Sequence, residues 1–181
     1  NMLFKKALKG KRVIFKHVKK PEVYKNAEAL VIDEISMVRA DLLDCVDIFL
    51  RGVRGNKHAP FGGMQMIFIG DPYQLPPVIT GVEKKAFAES YESPYFFSAH
   101  VFVEFQMDFI ELEKIYRQKD QSFINILNSI RNNSVGDKEL DFLNTRCDIN
   151  FEPNLQDFYV YLTPTNAEAE NINSIELNKV V

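Results

Sequence analysis

Apolar and polar positions fall into blocks along the 181 residues, and the blocks differ in period. Ala29-Leu30-Val31-Ile32 is a short unbroken apolar run that meets the polar pair Asp33-Glu34, the pattern of a buried strand reaching an edge. Leu42, Leu43, Val46, Phe49, Leu50 and Val53 then recur at helical spacing, with Asp41 in the first turn and Gly55 beyond the end. After a loop from Gly55 to Gly63, a second apolar run from Met64 to Ile69 is stopped by Gly70-Asp71-Pro72. Strand, helix and strand of these lengths predict a crossover unit whose two strands lie parallel, as neighbours or near neighbours. Such a unit brings Asp33-Glu34 and Asp71 to one carboxyl edge, where ligands bind in open α/β sheets.

Farther along, Tyr95, Phe96, Phe97, Phe102, Phe105 and Phe109 crowd one stretch. Phe is a common core filler, so most of these rings are expected inside. Phe109-Ile110-Glu111-Leu112 reads as a further strand. Asp120 opens a helix with Phe123, Ile124, Leu127 and Ile130 on one face, and a shorter helix starts at Asp137 with Leu140 and Leu143. Phe158 to Leu162 alternates as another strand. Thr165-Asn166-Ala167-Glu168 is a capping-box sequence opening a last helix through Ile172, Ile175 and Leu177. The pattern places a domain boundary near residues 112–120.

Composition narrows the classes. The chain is 46% hydrophobic and 26% charged, an ordinary globular balance able to bury a core. No stretch approaches the roughly 18 apolar residues of a membrane span. The opening residues predict no secretory leader. Two cysteines, Cys45 and Cys147, and three scattered histidines build neither a disulfide scaffold nor a zinc module. The net charge of −3 is unevenly spread. Nine basic residues against Glu22 and Glu28 give residues 1–28 a charge of +7, leaving −10 on the other 153. That opening could follow a phosphate backbone, or be a solvated surface.

An apolar strand ending in Asp-Glu suits nucleotide hydrolysis: one carboxylate holds Mg²⁺ and its neighbour polarises the attacking water. Adjacent residues leaving a strand point to opposite sides and so serve different atoms. By itself such a pair is equally an acidic turn. The second loop, Gly70-Asp71-Pro72-Tyr73-Gln74-Leu75-Pro76-Pro77-Val78, strengthens the chemical reading. Its glycine allows a tight exit, its prolines stiffen it, and Gln74 offers a neutral amide to a phosphate or a water.

These two segments resemble motifs II and III of the PIF-type DNA helicases, relatives of RecD in superfamily 1. Leu30 to Val38 looks like their Walker B segment and Gly70 to Val78 like motif III. Between them Asp41-Leu42-Leu43, Arg51, Arg54 and Pro60-Phe61-Gly62-Gly63-Met64-Gln65 resemble the segment that sets PIF-type enzymes apart. Ile115-Tyr116-Arg117-Gln118 resembles motif IV, and Phe123 with Leu127-Asn128-Ser129-Ile130-Arg131 continues the similarity. Leu162-Thr163-Pro164-Thr165-Asn166, with Ile172-Asn173, resembles the opening of the second motor domain. The resemblance starts at about Ala29.

The resemblance implies an α/β, RecA-like parallel sheet with flanking helices: an incomplete first motor domain over residues 1–114, then the start of a second over 115–181. It implies ATP and Mg²⁺ as cofactors, with Asp33 on the metal and Glu34 as general base or water-orienting group. Gln74 would sense the γ-phosphate, and Arg117 would be an arginine finger; an ion pair with Glu113 or Asp120 is the plain alternative for Arg117. Single-stranded or forked DNA would be the partner, in repair, recombination or replication, at an intracellular site such as a bacterial nucleoid. Gly62, Gly63, Pro76, Thr163 and Asn166 are candidate DNA contacts, although loop geometry explains each equally.

The family's P-loop, G-x-x-x-x-G-K-[ST], belongs upstream of the Asp-Glu strand, and Gly10-Lys11-Arg12 is the closest approach to it. The expectation is therefore an internal section of a helicase, separated from the P-loop segment of its parent and unable to hydrolyse ATP or unwind DNA by itself. Met2 leaves a natural truncated start open. Two other readings stand beside it: a non-catalytic remnant that binds DNA or a partner, and a piece of another P-loop NTPase such as an AAA-type module.

Overall fold

The computed structural model describes residues 20–152, 154 and 159–179. Of the nine opening basic residues, Lys20 and Lys25 fall within this range; the others, and Gly10-Lys11-Arg12, lie outside the described residues. The chain divides into two compact units, one through Ser134 and one from Val135.

The first unit is organised by the crossover that the apolar pattern predicts. A short helix, α1 (Pro21–Asn26), leads into β1 (Ala29–Ile32), helix α2 (Ala40–Arg54) and β2 (Gln65–Phe68). The strands pair in parallel with Ala29 opposite Gln65 and Ile32 opposite Phe68. Helix α2 ends where the chain turns left-handed at Gly55, at φ 69°, a conformation that glycine adopts without a side-chain clash. Its inner face supplies Ala40, Leu43 and Leu50 to a core completed by Ile35, Phe61, Met64, Phe87, Ala99 and Val101. Leu30, Ile32, Met66 and Phe68 cover that core from one face of the sheet. Their alternating neighbours Val31, Ile67 and Ile69 face outward and are exposed, as the period of two requires.

Buried carboxylates on α2 fasten the loops around this core. Asp44 accepts hydrogen bonds from the Tyr91 hydroxyl at 2.9 Å and from the amides of His100 and Val101 at 3.0 Å each. Asp47 accepts from the Arg51 guanidinium and from the Phe61 amide. That last bond anchors Phe61, which is fully buried yet left-handed at φ 53°. Burial, with Asp41 and Asp44 nearby, pushes the Cys45 thiol up to about 11. Burial and Asp44 also raise the Tyr91 phenol, which is stacked between Phe87 and His100.

The aromatic stretch is mostly core, as expected: Phe96, Phe102 and Phe105 pack on the cluster, while Phe97 and Phe109 are exposed. A five-residue helix, α3 (Lys84–Ala88), precedes them, and α4 (Gln121–Arg131) closes the first unit. Asp120 caps α4 through the amides of Ser122 and Phe123. The deeply buried side chain of α4 is Ile126, whereas Leu127 and Ile130, expected on the covered face, are exposed.

Phe109–Leu112 is not a strand, and neither is the described part of Phe158–Leu162; Phe158 lies outside the described residues. An apolar run becomes a strand only when a ladder partner is present. Among the described residues β1 and β2 pair only with each other. The second unit carries α5 (Asp137–Asn144) and α6 (Asn166–Asn178). At α6 one half of the expected capping box forms, the Thr165 hydroxyl accepting from the Glu168 amide.

Candidate nucleotide site

Beyond the last paired residues the two strands stay joined. The Ile69 amide donates to the Ile32 carbonyl at 3.0 Å, and the Ile35 amide donates to the Ile69 carbonyl at 2.9 Å. Asp33 and Glu34 are therefore held beside the exit of β2. Glu34 is left-handed, at φ 52° and ψ 42°, a backbone that disfavours any side chain with a Cβ and that clusters at functional positions. Its amide donates to one oxygen of Asp33 at 3.0 Å. The chain then tightens into a 3₁₀ turn, Ile35–Met37, and buries Ile35 and Ser36.

Gly70 is what lets the two exits approach. A Cβ there would stand 3.0 Å from the Ile35 amide nitrogen and 3.1 Å from that of Ser36. Ser36 itself is 1% exposed, and its hydroxyl has no partner among the described residues.

Past Gly70 the loop presents Asp71, Tyr73 and Gln74. The Gln74 amide nitrogen donates to Asp71 Oδ2 at 3.1 Å, and the Tyr73 amide donates to Asp71 Oδ1 at 3.1 Å. Arg131, the last residue of α4, donates to Asp71 Oδ1 at 3.2 Å, with its guanidinium 4.8 Å from the centre of the Tyr73 ring. No local pattern pairs Asp71 with Arg131, which lies 60 residues away; only Arg131's place in the motif resemblance marks it.

Arg117 is exposed, four residues ahead of α4, and makes no ion pair among the described residues, while Asp120 is occupied in capping. Among the candidate DNA contacts, Gly62 is buried at φ 66°, where a Cβ would meet the Leu50 carbonyl oxygen at 2.7 Å. Gly63 and Pro76 are exposed on the first unit. In the second, the Thr163 hydroxyl donates to the Thr165 carbonyl, and Asn166 is exposed at the start of α6.

A parallel pair with an acidic turn on one exit and an amide-bearing loop on the other fits the carboxyl edge of an incomplete RecA-like α/β domain. Residues 7–141 match the model of the PIF1-like helicase family, beginning 22 residues ahead of the expected start at Ala29. The chain belongs to that family. It is 34% identical over 180 residues to the ATP-dependent DNA helicase PIF1 of Saccharomyces cerevisiae, covering 98% of this chain and 19% of that protein. Against the ATP-dependent DNA helicase Pif1 of Campylobacter jejuni it is 33% identical, covering 91% of this chain and 35% of the other. The crystal structure of Pif1 helicase from Bacteroides in complex with ADP-AlF3 and ssDNA superposes with a TM-score of 0.85 at 40% identity, over 92% of this chain and 39% of that one. The chain thus spans two-fifths or less of the length of these relatives.

Proposed function

We propose that this chain is a section of an ATP-driven motor that moves on single-stranded or forked DNA in repair, recombination or replication inside the cell. The observation that supports it best is the joining of the Asp33-Glu34 turn to the Gly70 exit, with the Ile35 amide on the Ile69 carbonyl. This arrangement sets two carboxylates of different duty beside a loop bearing a neutral amide. In this reading residues 1–114 belong to one motor domain and 115–181 open the next, with α4, which clusters in the compact unit of the strands, as the first helix after the boundary.

Asp33 suits Mg²⁺. One of its oxygens accepts from the Glu34 amide and the other has no partner among the described residues. A hard cation that keeps most of its waters and nucleotide oxygens needs one or two such donors. When bound, the metal would neutralise charge on the β- and γ-phosphates. Glu34, aimed differently by its left-handed backbone, accepts a proton from the attacking water. Gln74 contacts that water or the γ-phosphate. Arg117, a permanent cation without an ion pair among the described residues, stabilises charge on the transferred group; such fingers supply about 10³–10⁵ in rate. Gly63, Pro76, Thr163 and Asn166 remain candidate DNA contacts, whereas close packing on Leu50 accounts for Gly62.

The test is a chimera in which this chain replaces the matching segment of the Bacteroides relative. It should hydrolyse ATP faster when single-stranded DNA is added. Glu34→Gln should abolish turnover while ATP binding persists, and Arg117→Ala should lower kcat by about 10³. Turnover unchanged by both substitutions would remove these roles.

A further inference from the structure

Gln74 does not project freely from its loop. Its amide is tied to Asp71, and Asp71 is in turn tied to α4 by Arg131. A carboxylate can only accept hydrogen bonds, so it selects which end of the amide faces it. The nitrogen must turn toward Asp71, leaving the carbonyl oxygen directed away. An outward oxygen is an acceptor for the O–H of a water. An outward nitrogen would instead be a donor to phosphate. Which of the two Gln74 presents is thus decided at Asp71.

Each contact is weak when taken singly at this exposure, with the Asp71 side chain 25% exposed and Arg131 42% exposed. They act as a set because one carboxylate gathers three donors: the Tyr73 amide, the Gln74 amide and the Arg131 guanidinium. The Tyr73 ring beneath Arg131 adds a cation–π contact that holds the guanidinium over the loop. Arg131 also ends the helix that begins four residues after Arg117.

We propose that Asp71 and Arg131 are positioning residues for Gln74: Arg131 fixes the Asp71 carboxylate, which grips the Gln74 amide by its nitrogen and presents its oxygen toward the nucleotide. The helix following Arg117 is thereby linked to Gln74 through a single carboxylate. A shift of α4 that withdraws Arg131 frees Asp71 to rotate and frees the amide to turn over. The functional part of this inference rests on the reading of Gln74 given above; the positioning part does not.

The side-chain NH₂ resonances of Gln74, identified in the 181-residue chain by their loss in Gln74→Leu, test the positioning directly. They should be displaced from those of free glutamines and slow to exchange. Arg131→Ala and Asp71→Asn should return them to free values, and Arg131→Lys, which keeps the charge but not the planar fork, should restore them in part. Resonances unmoved by Arg131→Ala and Asp71→Asn overturn the proposal. In the chimera Arg131→Ala should lower kcat about tenfold with KM for ATP changed less than about twofold, the signature of a misaligned group. If Glu34→Gln abolishes turnover but Arg131→Ala leaves kcat intact, the link to catalysis fails while the proposed function stands. If Glu34→Gln and Gln74→Leu both leave turnover intact, the proposed function fails, and the resonances still decide the positioning.

Discussion

The two strand exits sit side by side and are built on different principles. At the end of β1 the backbone does the holding: the Ile35 and Ile69 amides continue the ladder, Glu34 is left-handed, and the Gly70 Cα packs directly against the next turn. At the end of β2 the holding passes to side chains, with Asp71 collecting donors from its own loop and from α4. Backbone restraint gives a fixed position that does not depend on distant residues. Side-chain restraint gives a position that one distant residue can change. Under the proposed function, the first restraint would suit a stationary carboxylate pair and the second a sensor that can be released.

Substitutions at the two exits should therefore differ in kind. Gly70→Ala should be the most damaging, because the added methyl meets backbone nitrogens that cannot swing aside; a loss of about 3 kcal/mol in a denaturant melt is expected, the upper part of the overpacking range. Alkaline pH should come next and strike the helix behind both exits. The Cys45 thiol, raised from 9.0 to about 11, and the raised Tyr91 phenol resist ionising in the fold. The unfolded chain loses those protons first, so stability falls as pH rises above 9. Cys45 accounts for about 2 kcal/mol of that loss near pH 10.5. A melt series should show Cys45→Ala keeping its stability about one pH unit higher, until Tyr91 begins to titrate.

The remaining two effects are smaller and opposite in sign. Glu34→Gly should raise stability by about 1 kcal/mol by removing the left-handed penalty, while the chimera that carries it loses ATP turnover. A melt showing lower stability would mean that the Glu34 side chain supports its turn. Asp71→Asn should change stability by less than about 1 kcal/mol, as exposed ion pairs do, with its effect confined to Gln74. A loss as large as that of Gly70→Ala would erase the distinction between the two exits.

What was legible in the sequence follows the same division. The β1–α2–β2 unit could be read because its apolar runs are bounded by turn signals, and each residue's duty is set by near neighbours. Gly55 and the Thr165 cap are local in the same sense. Asp33, Glu34 and Gln74 were visible from adjacency and motif resemblance, and Gly70 from its place at a strand exit. The Asp71–Arg131 pair was not, since no local pattern links residues so far apart in sequence. The opposite error occurred at Phe109–Leu112, where an apolar run signalled a tendency to pair that finds no ladder among the described residues. Its Phe109, Ile110 and Leu112 side chains are 79%, 82% and 86% exposed. Periodicity names the face of α4 that wants cover, but not how much of it the surrounding chain supplies, so Ile126 is buried while Leu127 is not.

Arg54, the last residue of α2, bears on the order of folding. Its guanidinium donates to the carbonyls of Tyr24, Lys25, Ala27 and Gly62. Helix α1, only six residues long, has no buried side chain and no side-chain bond at its N-cap. So short a helix does not nucleate unaided, and its carbonyl end is satisfied by a residue at the far end of α2. Pro21–Asn26 should accordingly take its helical form last, after α2 has closed on the Pro60–Gly63 turn. It should also be the first part of the described chain to open in hydrogen exchange.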